Sequence, residues 1–164
     1  MAKLATDSFE ISLPDAWQIE TLKNPATVFG PQGECLMINS AVISGGGSEK
    51  DFQAVREALK QNADDAMRSA AANPQLRITA PLKKEDTSNG LFAELHCKTA
   101  DGQTFFCEFS VAGPTTLVFA TVEGPCDALG SVDVVREAIR KVNWSQTFEH
   151  RKIDYDKKPW WKLW

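Results

Sequence analysis

Leu91-Phe92-Ala93-Glu94-Leu95-His96-Cys97-Lys98-Thr99-Ala100-Asp101-Gly102-Gln103-Thr104-Phe105-Phe106-Cys107-Glu108-Phe109-Ser110-Val111 is the stretch that decides the fold. Two arms rich in alternating large apolar residues flank an Asp-Gly turn, which is the pattern of a β-hairpin. Centring the turn on Ala100-Asp101-Gly102 pairs Leu91 with Val111, Ala93 with Phe109, Leu95 with Cys107 and Cys97 with Phe105, all on one face. A slip of one residue mixes these positions with Glu94, Lys98, Thr104 and Glu108. Such a slip would bury charge, so the first register is expected to hold.

The same reading extends in both directions. Gly113-Pro114 turns the chain into a third strand, with Phe109 facing Val118, Cys107 facing Ala120 and Phe105 facing Val122. Upstream, Leu76, Ile78, Ala80 and Leu82 alternate before a Ser88-Asn89-Gly90 turn. Ser48 is placed to cap a helix whose stripe runs Phe52, Val55, Leu59, Ala63, Ala66 and Ala70, ending at Asn73-Pro74. Near the start, Phe9, Ile11 and Leu13 alternate as a strand up to Pro14-Asp15, and Gly30-Pro31-Gln32-Gly33 links two further strands, the second nearly continuous in apolar residues from Cys35. A second helix begins at Ser131 and carries Val132, Val135, Ile139 and Val142 on one side. Strands, helix, strands, helix is the order of an α+β domain, with an antiparallel sheet flanked by helices in an α/β/α sandwich.

The chain of 164 residues suits one domain, read as 1–144 with a Trp-rich tail over 145–164. Its 43% hydrophobic and 24% charged composition is that of a soluble globular protein, and a net charge of −4 speaks against nucleic acid as a partner. The first residues lack the apolar run of a signal peptide, and no later run approaches the ~20 residues of a membrane span, so a cytoplasmic location is expected. Cys35, Cys97, Cys107 and Cys126 are scattered, without the C-x-x-C spacing of a zinc site or redox pair, and read as reduced thiols. No cofactor and no metal is implied.

Chemistry is sparsely signalled. In the centred register Glu94 lies opposite Glu108, with His96 two residues along the same face, a grouping that could share a proton or hold a cation. The plainer reading is a solvated sheet face, because no nucleophile is tied to them by spacing, and no residue is assigned a catalytic role. Gly45-Gly46-Gly47-Ser48 precedes a helix but lacks the glycine spacing and lysine of a phosphate-binding loop. His150 has no partner assignable from sequence.

Two apolar features remain. Phe92, Phe106, Leu117 and Phe119 fall on the sheet face opposite the first, where a helix of the chain covers them or another chain does. Trp160, Trp161 and Trp164 crowd three of the five tryptophans into the last five residues, a composition suited to docking on a partner, on an identical subunit or on the domain itself.

Phe9-Glu10-Ile11-Ser12-Leu13-Pro14-Asp15-Ala16-Trp17 resembles the opening strand and Pro-x-x-Trp turn of bacterial proteins with a Mog1/PsbP-like fold, DcrB-like proteins among them. The resemblance runs in element order to about Trp144 and implies an antiparallel sheet between helices. Only the fold-defining Pro14 and Trp17 are carried over as residues. One branch of that family comprises small cytoplasmic chaperones or adaptors of type VI secretion effectors, which hold apolar effector segments in a groove. The resulting expectation is a non-enzymatic accessory protein that binds another polypeptide, with Phe92, Phe106, Leu117, Phe119 and the three tryptophans as contacts and a homodimer as one form. The alternatives are an immunity protein that inhibits a cognate toxin, and an enzyme or metal site built on Glu94, His96 and Glu108.

Overall fold

Regular alternation of buried and half-buried side chains makes β2 (Phe9–Leu13), which pairs antiparallel with β1 (Ala2–Ala5) on one side and β10 (Asn143–Trp144) on the other. The computed structural model describes residues 1–43 and 48–145. Seven further strands are β3 (Gln18–Thr21), β4 (Ala26–Phe29), β5 (Cys35–Val42), β6 (Leu76–Thr87), β7 (Gly90–Thr99), β8 (Thr104–Ala112) and β9 (Thr116–Pro125). They form a wholly antiparallel sheet in the order β3-β4-β5-β9-β8-β7-β6. The short β1 and β10 escape a periodicity reading, since four and two residues carry too little alternation.

Helix α1 (Glu49–Ala72) starts where the sequence predicts. Ser48 Oγ accepts from the Asp51 backbone N–H at 3.2 Å and Asp51 accepts from the Ser48 N–H at 2.9 Å, a reciprocal capping box. The helix stops before Pro74, with Val55, Leu59, Ala63 and Ala70 buried against β6 to β9. On the other face of the sheet α2 (Ser131–Arg140) buries Val132, Val135 and Ile139 over β8 and β9, beside the small β1-β2-β10 sheet. The result is the expected α+β sandwich, with helices on both faces of an antiparallel sheet.

Each face has its own core. Phe9, Phe105, Phe109, Val118, Ile139 and Trp144 belong to the larger one under α2. Leu91, Ala93 and Leu117 pack with Val55 and Leu59 of α1, and Leu95 and Cys97 with Ala70. Trp144 closes the domain: its ring lies where a Cβ on Gly113 would stand, 2.6 Å away, so only glycine admits it, and its indole N–H donates to the Asn89 carbonyl at 3.0 Å.

The hairpin register differs from the expectation by one residue. Leu91 pairs with Ala112, Glu94 with Phe109, Leu95 with Glu108, His96 with Cys107 and Cys97 with Phe106. The turn is the cause. The Gly102 N–H donates to the Thr99 carbonyl at 2.8 Å with Gly102 at a φ of 73°, and Asp101 Oδ1 accepts from the Gln103 N–H at 3.0 Å. That loop ends in a Thr99 to Thr104 closure, where the Thr104 N–H donates to Thr99 Oγ1 at 3.1 Å, instead of the tighter turn centred on Asp101. Both faces are covered by helices, so apolar alternation does not arbitrate between registers. In the third strand the faces fall as expected but the pairs move along by two, with Phe109 opposite Ala120, Cys107 opposite Val122 and Phe105 opposite Gly124.

Burial separates side chains that look alike in sequence. Phe109→Ala should lower the unfolding free energy by about 3–5 kcal/mol. Met37→Ser, on an exposed side chain, should change it by no more than about 0.5 kcal/mol. Urea titrations followed by circular dichroism read both.

Candidate functional site

Strand β6 is an edge of the large sheet and keeps an irregular ladder with β7. Ile78 pairs with Cys97, Ala80 with His96 and Lys83 with Glu94, so β6 carries an extra residue on each side of Ala80. Bulges bend a strand, and Pro81 is tolerated here because the strand is an edge. Between this bent stretch and the start of α2 lies an open cleft of about 1060 Å³, lined among others by Ala80, Pro81, Lys83, His96, Leu129 and Arg136.

A chain of polar contacts forms the cleft floor. Arg136 Nε donates to Glu94 Oε2 at 2.6 Å, His96 Nε2 lies 3.3 Å from the same oxygen, and Cys107 Sγ lies 3.3 Å from His96 Nδ1. Lys83 Nζ stands 3.8 Å from Glu94 Oε1, and Arg136 also pairs with Asp133 on its own helix. Burial would raise the Glu94 pKa, but the hydrogen bonds and charges of Arg136 and His96 outweigh it and hold the carboxyl below its ordinary range. Burial pushes the Cys107 thiol up to about 12, so it is not a thiolate at neutral pH. The cluster is thus a paired ionic network between sheet and helix, with the protonated Cys107 thiol beside it.

The register shift breaks up the sequence-predicted acid pair. Glu94 and His96 face α2, while Glu108 stands opposite Leu95 on the α1 face, where burial raises its pKa. An enzyme or metal site combining Glu94, His96 and Glu108 is therefore not assembled.

The four candidate contact residues are also divided. Phe92 is fully buried on the α2 side, stacked on Phe109 at 6.1 Å between ring centroids, with the Arg140 guanidinium 5.1 Å from its ring centre. Phe106, Leu117 and Phe119 share the α1 face, where Leu117 is buried beneath the helix and Phe106 and Phe119 are half-buried beside it. Trp160, Trp161, Trp164 and His150 lie outside the described residues, as does the Gly45-Gly46-Gly47 run.

The α1 face continues past the helix. Through cross-strand pairs, Phe119 is joined by Asn39, Thr121 by Met37 and Thr27, and Glu123 by Cys35 and Phe29, all on one side of β9, β5 and β4. Helix α1 packs over β6 to β9, and Phe29 and Met37 remain 43% and 40% exposed. Among the described residues the part of this face over β4 and β5 is thus more open than the part under α1, and Phe119, one of the four predicted contacts, is half-buried at the boundary.

Sequence reasoning missed Arg136 and Glu34. Arg136 sits one turn after Val132, at the margin of the apolar stripe, where a cation meets a carboxylate rising from the sheet. Glu34 is fully buried at the end of the β4–β5 turn, accepts from the Gln32 N–H at 2.7 Å, and is bonded by the Ser131 hydroxyl at the start of α2. Its position just after Gly33 gives it the look of an exposed turn residue.

Opposite pH dependences follow for the two hairpin glutamates. The folded pKa of Glu94 lies below its unfolded value, so its contribution is present above the unfolded pKa and is lost as pH falls through the folded one. Glu94→Gln should cost about 1–3 kcal/mol at neutral pH, with the gap to wild type closing on acidification. The folded pKa of Glu108 is raised, so its contribution is complete below the unfolded pKa and is lost as pH rises through the folded one. Glu108→Gln should gain on wild type over that rise. Denaturant titrations between about pH 3 and pH 7 test both signs.

No protein-family model matches the chain, and no curated protein matches it. Among solved structures it is similar to the cyanobacterial PsbP (CyanoP) of Synechocystis sp. PCC 6803, with a TM-score of 0.54 at 10% identity over 87% of this chain and 91% of that one. It is also similar to LpqN, described as involved in cell envelope biogenesis of Mycobacterium tuberculosis, with a TM-score of 0.53 at 9% identity over 84% of this chain and 83% of that one. Among the described residues no helix is long and apolar enough to cross a membrane. With two helices astride an antiparallel sheet, and these likenesses over most of each chain, the protein has the Mog1/PsbP-like fold.

Proposed function

We propose that the protein is a non-enzymatic accessory protein that binds another polypeptide through the exposed β4–β5 part of one sheet face. The observation that carries this reading is the exposure of Phe29 and Met37 beside half-buried Cys35 and Phe119, with Gln18, Glu20 and Glu123 exposed around them. Apolar surface rimmed by polar groups marks interaction sites, and each Å² covered is worth roughly 25 cal/mol before the costs of association. The locked ionic network in the cleft supports binding over catalysis.

The client suggested by the resemblance is an apolar segment of a type VI secretion effector, held in the cytoplasm before export. Four unpaired cysteines suit such a reducing compartment. The contact surface differs from that expected from sequence: Phe92 and Leu117 serve the cores, and Phe119 joins Phe29 and Met37 outside.

A photoreactive benzoylphenylalanine in place of Met37, expressed in the native host, tests the reading. The expected outcome is a light-dependent adduct with a discrete second protein, lost when the probe replaces buried Val122 instead. Absence of any adduct with another protein overturns it.

A further inference from the structure

The cleft between the bent edge of β6 and α2 holds more positive charge than its ionic network uses. Its walls carry Lys83, Lys84, Lys98 and Arg136 against Glu94 and Asp133. In a chain of net charge −4 that is a local surplus of cations. Arg136 answers both carboxylates, Lys83 stands between Glu85 and Glu94, and Lys84 is taken by Asp64 of α1. Lys98 is left over. It is half-buried, and among the described residues it has no carboxylate within ion-pairing distance.

Directly across the β6–β7 ladder from Lys98 stands Arg77, exposed and likewise without a carboxylate partner among the described residues. Like charges set opposite each other on neighbouring strands repel, and the unliganded protein carries that cost. A bound anion would remove it. The rest of the cleft is largely apolar: Pro81 on β6 is exposed, Leu129 just before α2 is 41% exposed, and Val132 lies buried beside it. Its volume of about 1060 Å³ is ample for a drug-sized molecule.

We propose that this cleft binds a small organic anion, its acidic head held by Lys98 and Arg77 and its apolar body lying between Pro81 and Leu129. Because Arg136 is already engaged by Glu94 and Asp133, the head settles at the Lys98 end. A planar guanidinium beside an ammonium suits the several oxygens of a carboxylate, sulfonate or phosphate ester. The site lies on the α2 side of the sheet, whereas Phe29 and Met37 stand on the α1 side, so it is separate from the polypeptide-binding surface and does not depend on it.

Anilinonaphthalene sulfonate, an anion on an apolar body whose fluorescence rises on leaving water, probes the site on the full chain, with phenylnaphthylamine as its uncharged counterpart. The expected outcome is saturable binding of the sulfonate at one site per chain. Lys98→Met and Arg77→Gln should each weaken it by about tenfold, as for the loss of one charge-assisted contact, and leave the uncharged dye unaffected. Leu129→Asp should weaken both dyes, and Met37→Asp, on the other face, should leave the sulfonate's affinity as it was. Arg77→Gln should not lower the melting temperature of the unliganded protein, since it removes a like-charge pair; a lower value would show Arg77 held by the fold and overturns the proposal. So does the absence of saturable binding, or a sulfonate affinity that survives both charge variants. A sulfonate affinity lost in Met37→Asp places the dye on the β4–β5 surface and overturns it as well.

Discussion

The offset between β7 and β8 is the constraint on which the rest of the structure depends. Once Thr99 closes on Thr104, every residue of β7 is assigned a face and a neighbour on β8. Glu94 and His96 are sent toward α2, and Leu91, Ala93, Leu95 and Cys97 toward α1. A turn one residue shorter would exchange partners along the whole hairpin and move Glu94 away from Phe109. The local chemistry of Asp101 and Gly102 thus decides which helix answers which charge.

Burying Glu94 carries the desolvation cost that a sequence reading foresees, and α2 supplies the compensation. Arg136 donates to the carboxylate at 2.6 Å, His96 adjoins it, and Asp133 holds the guanidinium from the solvent side. Glu34 ties the same helix to the β4–β5 turn through Ser131. Helix α2 has only ten residues and no side-chain cap at its first turn, so these polar links, with Val132, Val135 and Ile139 beneath, define where it sits. On the other face α1 is held at the β6 edge by Lys84 to Asp64 at 2.5 Å and Arg56 to Asp86 at 2.7 Å.

Much of this architecture was legible. The Ser48 cap, the Asn73-Pro74 stop and the start at Ser131 are local signals, and local signals survive folding. The opening Phe9 to Trp17 motif pointed to a fold that the structural likenesses share. The hairpin pairing was not legible, because hydrophobic alternation fixes register only when one face is wet, and here both are dry wherever a helix lies. The site followed the pairing: Glu108 and Glu94 look like partners only if the strands align the other way. Phe29 and Met37 stand out only when the reach of α1 is known, since a phenylalanine beside a glycine turn reads as readily as core. Arg136 needed the knowledge that α2 crosses above Glu94, a contact between positions forty-two residues apart.

The bent edge at β6 has a consequence for how copies of the molecule meet. A straight terminal strand of twelve residues would offer its open amides and carbonyls as a template for stacking further chains into fibrils. Two extra residues around Ala80, a proline without an amide hydrogen and paired lysines interrupt that template midway. The far margin, β3, is only four residues long and irregular in its pairing. Both margins of the large sheet are therefore poor templates for lateral addition of a further strand.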